Sequence, residues 1–152
     1  MNPENIQPEF FERVVQVNRV SKKTKGGNKR SLSVLVVVGD KKGQVGVGLG
    51  KAQDVQSAVR KATTFAKKHL IKVLIKNGTI PHPILVKSGA AKVLLKPARN
   101  GIGVVAGGAV RVVVEAAGIT DVVSKILGTK NKASNVYATL KALTLLKERV
   151  RH

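Results

Sequence analysis

Cysteine and tryptophan are both absent from the 152 residues. Without cysteine there can be no disulfide, no thiol nucleophile and no Cys-ligated metal. Aromatic residues make up only 3% of the chain, and Phe10, Phe11, Phe65 and Tyr137 are the whole set. Stacking platforms for nucleobases need aromatic faces, so this scarcity points away from readers of single strands and toward recognition of backbone and shape. Acids are also few. There are eight, and no pair of them is spaced for acid–base chemistry. His69, His82 and His152 lie far apart, with no cluster of acids beside them, so no metal site is expected. Ser21, Ser88 and Ser124 lack the sequence context of a nucleophile. The chain is therefore read as a non-enzyme, with no catalytic residue, metal, cofactor or small-molecule substrate. The longest unbroken apolar run is 34–38, far short of a membrane span. Met1-Asn2-Pro3-Glu4 has neither the cationic start nor the apolar run of a signal peptide. A cytoplasmic protein away from membranes is expected.

Positive charge is abundant. Lys plus Arg number 28 against 8 acids, for a net charge of +20. Residues 1–76 hold 16 cations and 5 acids, and 77–152 hold 12 and 3, so the two parts carry +11 and +9. Charge spread over the whole body opposes compaction and calls for a polyanionic partner. Hydrophobic residues, at 43%, are enough for a core.

The densest stretch is Asn18-Arg19-Val20-Ser21-Lys22-Lys23-Thr24-Lys25-Gly26-Gly27-Asn28-Lys29-Arg30, with six cations, two adjacent glycines and no acid. Such a run needs solvent or an anion around it. In a neutral protein it would be read as a solvated hairpin loop. At +20 it is read as a mobile, positively charged finger between two strands, laid on nucleic-acid phosphate.

The rest of the chain parses into short elements. Valines at 14, 15, 17 and 20 predict a strand over 11–20. Leu32, Val34, Val36 and Val38 alternate with Ser31 and Ser33, which predicts a half-buried strand. In the third strand Val45, Val47 and Leu49 alternate with Gln44, Gly46 and Gly48. Its bare face admits either a closely packed neighbour or a simple twist or bulge. Asp54 reads as the N-cap of a helix whose apolar line is Val55, Ala58, Val59, Ala62, Phe65 and Ala66 and whose wet side is basic. Three antiparallel strands and one helix give a first α+β unit over 10–70. A strand at 71–75 opens the second unit, over 71–150. Asn77-Gly78 marks a tight turn, and Pro81 and Pro83 place the next strand at an edge or delay its start. Residues 91–96 form another strand. A glycine loop from Arg99 to Gly108 opens a helix that stops at Gly118. A short strand over 122–127 follows, then a last helix capped by Ser134 or Asn135, with Val136, Leu140, Leu143 and Leu146 as its apolar line. The two units are expected to abut.

Gly101, Gly103 and Gly107 read GxGxxxG rather than the GxGxxG of dinucleotide sites. Asp121 lies 20 residues beyond Gly101, but it would start the following strand instead of ending it. Close packing of the helix start against phosphate or a neighbouring protein is the better reading.

An ordered set of segments resembles one family. Val17-Asn18-Arg19-Val20-Ser21-Lys22, Lys25-Gly26-Gly27, Val37-Val38-Gly39-Asp40 and the run from Gly43 through Val45, Gly46, Gly48, Gly50, Lys51 and Ala52 are similar to the first domain of bacterial-type small-subunit ribosomal protein five. Asn77-Gly78-Thr79-Ile80-Pro81-His82, Lys96-Pro97-Ala98, the glycines from 101 to 108 and Ala117-Gly118-Ile119-Thr120-Asp121 resemble the second. The resemblance implies a double-stranded-RNA-binding-like first domain without the usual leading helix. It implies a second α+β domain of about four strands and two helices with a left-handed crossover, a fold that does not settle function by itself. It further implies a structural protein of the small subunit near the mRNA entrance, bound to 16S-type rRNA and to small-subunit proteins four and eight, with roles in subunit assembly and translational fidelity.

Carried over, Lys22, Lys23, Lys25, Gly26 and Gly27 are RNA-finger candidates. Arg19, Lys29 and Arg30 complete the finger's cations, and Lys51 and Arg60 join the RNA-binding set. Gly103, Gly107, Gly108 and Arg111 are candidates for the face toward protein four. Where relatives often have Asn-Pro before the last helix, this chain reads Asn131-Lys132-Ala133-Ser134. Contacts that a longer tail makes with protein eight in many relatives are not carried over. The alternative function is a free-standing duplex-RNA-binding protein or RNA chaperone.

Overall fold

The structure is a computed structural model that describes residues 10–147. The side chains of residues 20, 22–24 and 28–30 fall outside that description. The element order is β1 (Phe11–Thr24), β2 (Gly27–Gly39), β3 (Gln44–Ala52), α1 (Val55–Lys68), β4 (Ile71–Lys72), β5 (Ile84–Ser88), β6 (Ala91–Pro97), β7 (Val104–Val105), α2 (Gly108–Ala117), β8 (Val122–Ile126) and α3 (Lys132–Thr144). The strands form two sheets, β1-β2-β3-β4 and β5-β6-β8-β7. The α+β class therefore holds.

The first sheet is antiparallel throughout and has one strand more than expected. The strand expected at 71–75 in the second unit is only Ile71–Lys72, and it pairs with Val45 and Gln44 of β3. β2 is not half-buried. Val34, Val36 and Val38 face α1, while Leu35 and Val37 on the opposite face belong to the core built around α2, so both faces are covered. Alternation with serine signals one wet face only where the serines sit. Beyond Ser33 the run is apolar at both parities, which is how a doubly covered strand reads.

The bare face of β3 has a definite partner. Asp54 caps α1 by accepting from the Ser57 amide at 3.1 Å. The helix then lies on the glycines through Ala58, Ala62 and Ala66, its fully buried residues. A Cβ at Gly46, Gly48 or Gly50 would overlap the backbone carbonyl of Ala66, Ala62 or Ala58 respectively. Small residues on both sides thus bring helix backbone against strand backbone. Val55 and Phe65, read as part of the apolar line, are instead about half-exposed, at 47% and 49%. The fully buried strip of α1 is three alanines long and one residue wide.

In the second unit, Asn77 and Gly78 both take positive φ, and Lys76 and Thr79 exchange two backbone hydrogen bonds around them, as a two-residue hairpin turn requires. β5 starts after Pro83 and lies at the sheet edge. β7 sits inside the expected glycine loop and pairs in parallel with β8, with α2 as the crossover between them. Two residues are too few to show a period in sequence. The cap of α3 is Asn131, whose side chain accepts from the Ser134 amide at 3.2 Å. Ser134 and Asn135 lie inside the helix, and Asn135 is buried.

The two units meet backbone to backbone. In the turn after β2, the Lys41 and Gly43 amides donate to the carbonyls of Ala116 and Ala117 at 3.0 and 2.9 Å. A helix end leaves its last carbonyls without partners, and this turn supplies donors for two of them. Gly118 follows with φ +100, and a Cβ there would overlap the Lys41 carbonyl. Leu35, Val37, Val45 and Val47 join Val110, Val113 and Val114 of α2 in one core, which extends to Val136 and Leu143 of α3.

Candidate nucleic-acid interface

The cationic stretch is a ribbon, not a loop. β1 and β2 stay in register from Val20↔Ser31 through Ser21↔Arg30, Lys22↔Lys29 and Lys23↔Asn28 to Thr24↔Gly27, closed by Lys25 and Gly26. β3 leaves β2 at Leu32↔Ala52, so these five pairs project beyond the sheet with no third strand. At about 3.4 Å per residue the projection is about 15 Å long. A two-stranded ribbon is marginal in water by itself. This one also sets Lys22 opposite Lys29, and like charges directly across a ladder weaken it. A polyanion alongside would relieve that repulsion.

Lys25, Gly26 and Gly27 are exposed at the tip. Arg19 is exposed at the base, where with Val17, Ser21, Ser31, Leu32, Gln53 and Val55 it lines an open groove running to the start of α1. For Lys22, Lys23, Lys29 and Arg30 the backbone register is defined, and their side chains lie outside the described residues.

α1 provides the second basic surface. Arg60, Lys61, Lys67 and Lys68 are exposed, as are Gln56 and Thr64 between them. Lys67 is partly engaged, 3.2 Å from Glu12 and 5.3 Å from the centre of the Phe10 ring. Lys61 reaches back to the Lys51 carbonyl at 3.4 Å, which joins the exposed Lys51 of β3 to the helix face. The structure thus brings Lys51 and Arg60 to one surface, with Arg19 and the ribbon at the N-terminal end of the same helix.

The glycine loop before α2 is a separate site. Asp121 is nine-tenths buried, and its Oδ1 accepts from the Gly101 and Gly103 amides at 3.0 and 2.9 Å. The Thr120 hydroxyl donates to Oδ2 at 3.0 Å. The Gly103 amide, then the Thr120 hydroxyl and the Gly101 amide, hold the carboxyl below its ordinary range against the opposing effect of desolvation. The acid 20 residues beyond Gly101 therefore organises the loop itself. The sequence placed this acid at the start of the following strand, which argued against a ribose ligand, but its role as a loop clamp was not read there. Gly107 is the N-cap residue of α2 and has no side chain to cap with, and Gly108 is the first helical residue. Both are exposed, as is Arg111, whose Nε donates to Glu115 at 2.8 Å. Gly103 is partly covered. A Cβ at Gly107 would press on Ile126 at 2.9 Å, whereas one at Gly108 meets no described atom within 4 Å. The four candidates for a protein interface thus gather around the start of α2. Among the described residues no group of His, Cys, Asp and Glu is placed to hold a metal ion, and no helix is long and apolar enough to cross a membrane.

Two aspects were not legible beforehand. Phe65, assigned to the core strip by its spacing, is an exposed ring on the basic face of α1. Lys41 lies with its ammonium 4.6 Å from the centre of the Phe11 ring, at the junction of the two units.

Comparison with known proteins finds a family and close relatives for this sequence. Residues 10–74 match the family described as ribosomal protein S5, N-terminal domain, and residues 86–150 match its C-terminal domain. The chain is 53% identical over 138 residues to the small ribosomal subunit protein uS5 of Lawsonia intracellularis, covering 91% of this chain and 85% of that one. It is 53% identical over 144 residues to the protein of the same name in Chloroflexus aurantiacus, covering 95% and 80%. It is 50% identical over 142 residues to uS5c of Cyanophora paradoxa, covering 93% and 84%. With both domains matched in order across the body of the fold, this chain belongs to the ribosomal protein S5 family.

Proposed function

We propose that the chain is a structural rRNA-binding component of the small ribosomal subunit, where it neutralises phosphates at a junction of RNA segments. The observation that carries this reading is the projecting ribbon, whose sequence from Asn18 to Arg30 has six cations and no acid, set beside a helix face that exposes four more cations. The family membership supports it, and proteins of this family are not enzymes. A-form RNA hides its base edges in a deep, narrow major groove, so a cationic ribbon with no aromatic tip is suited to phosphate contact rather than base reading. Binding releases counterions from the RNA, and each phosphate contacted should steepen the log–log dependence of affinity on salt by about 0.7 to 0.9.

The same reading places the cluster of Gly103, Gly107, Gly108 and Arg111 against a neighbouring protein, with small-subunit protein four as its occupant. It assigns protein eight as a further neighbour, 16S-type rRNA as the nucleic acid, and the mRNA entrance as the location. Roles in subunit assembly and in decoding fidelity follow from that position. Sedimentation of an extract containing the tagged chain tests the reading. Migration almost wholly with small subunits is expected, and a predominantly free pool at the top of the gradient would mark a free-standing RNA binder instead.

A further inference from the structure

α1 carries an exposed aromatic pair. Phe65 stacks on His69, with ring centres 4.0 Å apart and planes inclined by 20°. The pair is fixed on the helix because His69 Nδ1 donates to the Phe65 carbonyl at 2.8 Å, one turn back. Stacking on one side leaves the Phe65 ring about half-exposed, at 49%. Phe65 lines a shallow depression together with Arg60, Lys61, Thr64 and Lys68. Three of these four neighbours are cations, and none is an acid. Packing does not explain the ring, since α1 is held to β3 by alanines.

We infer that Phe65, backed by His69, is a stacking platform for one unpaired RNA base whose flanking phosphates are held by Arg60, Lys61 and Lys68. This deepens the RNA-binding reading above and rests on it. The chemistry is general. Any base presents a π-face, aromatic stacking tolerates sequence, and adjacent cations neutralise the backbone on either side. One platform accommodates one base, which fits a bulged nucleotide in folded RNA rather than an extended single strand. Of the other rings, Phe10 and Phe11 are partly covered and already face Lys67, Arg13 or Lys41. Tyr137 is exposed on α3 and has no described cation over its ring.

The test uses the full chain with two RNA duplexes of the same length, one fully paired and one with a single bulged 2-aminopurine. The expected result is tighter binding of the bulged RNA, with a fluorescence change of the probe on binding. Phe65→Ala should remove that preference, a loss of about 5-fold to 150-fold given about 1–3 kcal/mol per stacked base, and leave the paired duplex bound as before. Phe65→Tyr should retain the preference, and Phe65→Leu should lose it. Because residue 65 is exposed, these variants keep the core intact, and circular dichroism verifies this. Equal affinity of the wild-type chain for both RNAs, with normal salt dependence, overturns the platform and leaves the RNA-binding reading standing. Protection of Phe65 by a neighbouring protein in assembled subunits, with no effect of the variants on RNA, also overturns it. Failure to bind either RNA overturns both readings.

Discussion

Replacing Gly48 by alanine tests how α1 is held. A Cβ at this position would overlap the Ala62 carbonyl oxygen and come within 2.9 Å of both the Ala62 carbonyl carbon and the Ala66 nitrogen. All three are backbone atoms of a helix and cannot rotate away. Ordinary contacts between such atoms are about 3.5–4.0 Å, so the helix must lift by about 1.5 Å along this stretch to clear the carbonyl oxygen. Over-packing of a dense core costs about 1–3 kcal/mol, and the rigid obstacle here puts Gly48→Ala near 3. For a chain of this size each kcal/mol lowers the melting temperature by about 2–4 °C, so a fall of about 6–12 °C is expected. Gly26→Ala is the matched control. A Cβ there meets no described atom within 4 Å, and the change should stay within about 0.5 kcal/mol. Thermal unfolding followed by circular dichroism, with urea midpoints as a cross-check, reads both. A Gly48→Ala protein melting within about 1 °C of wild type would refute the close approach of helix and strand. The consequence extends to function, because the same helix carries Arg60, Lys61 and Phe65.

Three other outcomes follow from the geometry. Gly108→Ala should stabilise the isolated chain by up to about 1 kcal/mol, because it replaces an exposed helical glycine with open space around it; an unchanged or lower melting temperature would contradict this. Gly118→Ala should destabilise it, since the position combines φ +100 with overlap of the Lys41 carbonyl, and the loss should appear as faster amide exchange at Lys41 and Gly43. Asp121 and Asp54 both have carboxyl pKa values lowered in the folded chain, Asp121 first by the Gly103 amide and Asp54 first by Ser57. Their contribution is present in full above the unfolded value of about 3.9 and is lost as pH falls through the lower folded values. Stability should therefore drop below about pH 4, and Asp121→Asn should flatten part of that acid limb in urea titrations; an acid limb identical to wild type would contradict the clamp.

The sequence carried the short-range features well and the long-range ones poorly. Asp54, Asn77-Gly78 and Gly118 act within a few residues of themselves, and each does in the fold what its local chemistry suggested. The glycine face of β3 left a close neighbour and a twist or bulge equally open, and only the fold showed that it packs on the alanine strip of α1. β2 was misread because Leu35 and Val37 are buried by α2, an element more than 70 residues away. The finger was misread as a loop because a dense cationic run hides the strand pairing beneath it, which depends on register with a partner. Asp121 was noticed for its spacing and given no structural role, since a carboxylate that clamps two amides leaves no pattern of its own in sequence. Phe65 fell on the edge of a helical stripe, where a shift of a few tens of degrees decides between core and solvent.

The central claim is that the ribbon from β1 to β2 neutralises RNA phosphate, and the salt dependence of affinity for a small-subunit rRNA fragment tests it most directly. With Lys22, Lys23 and Lys25 all changed to alanine, affinity should fall and the log–log slope should flatten by about 2 to 3, in proportion to the phosphates no longer contacted. A triple variant with the wild-type slope would take the ribbon off the RNA.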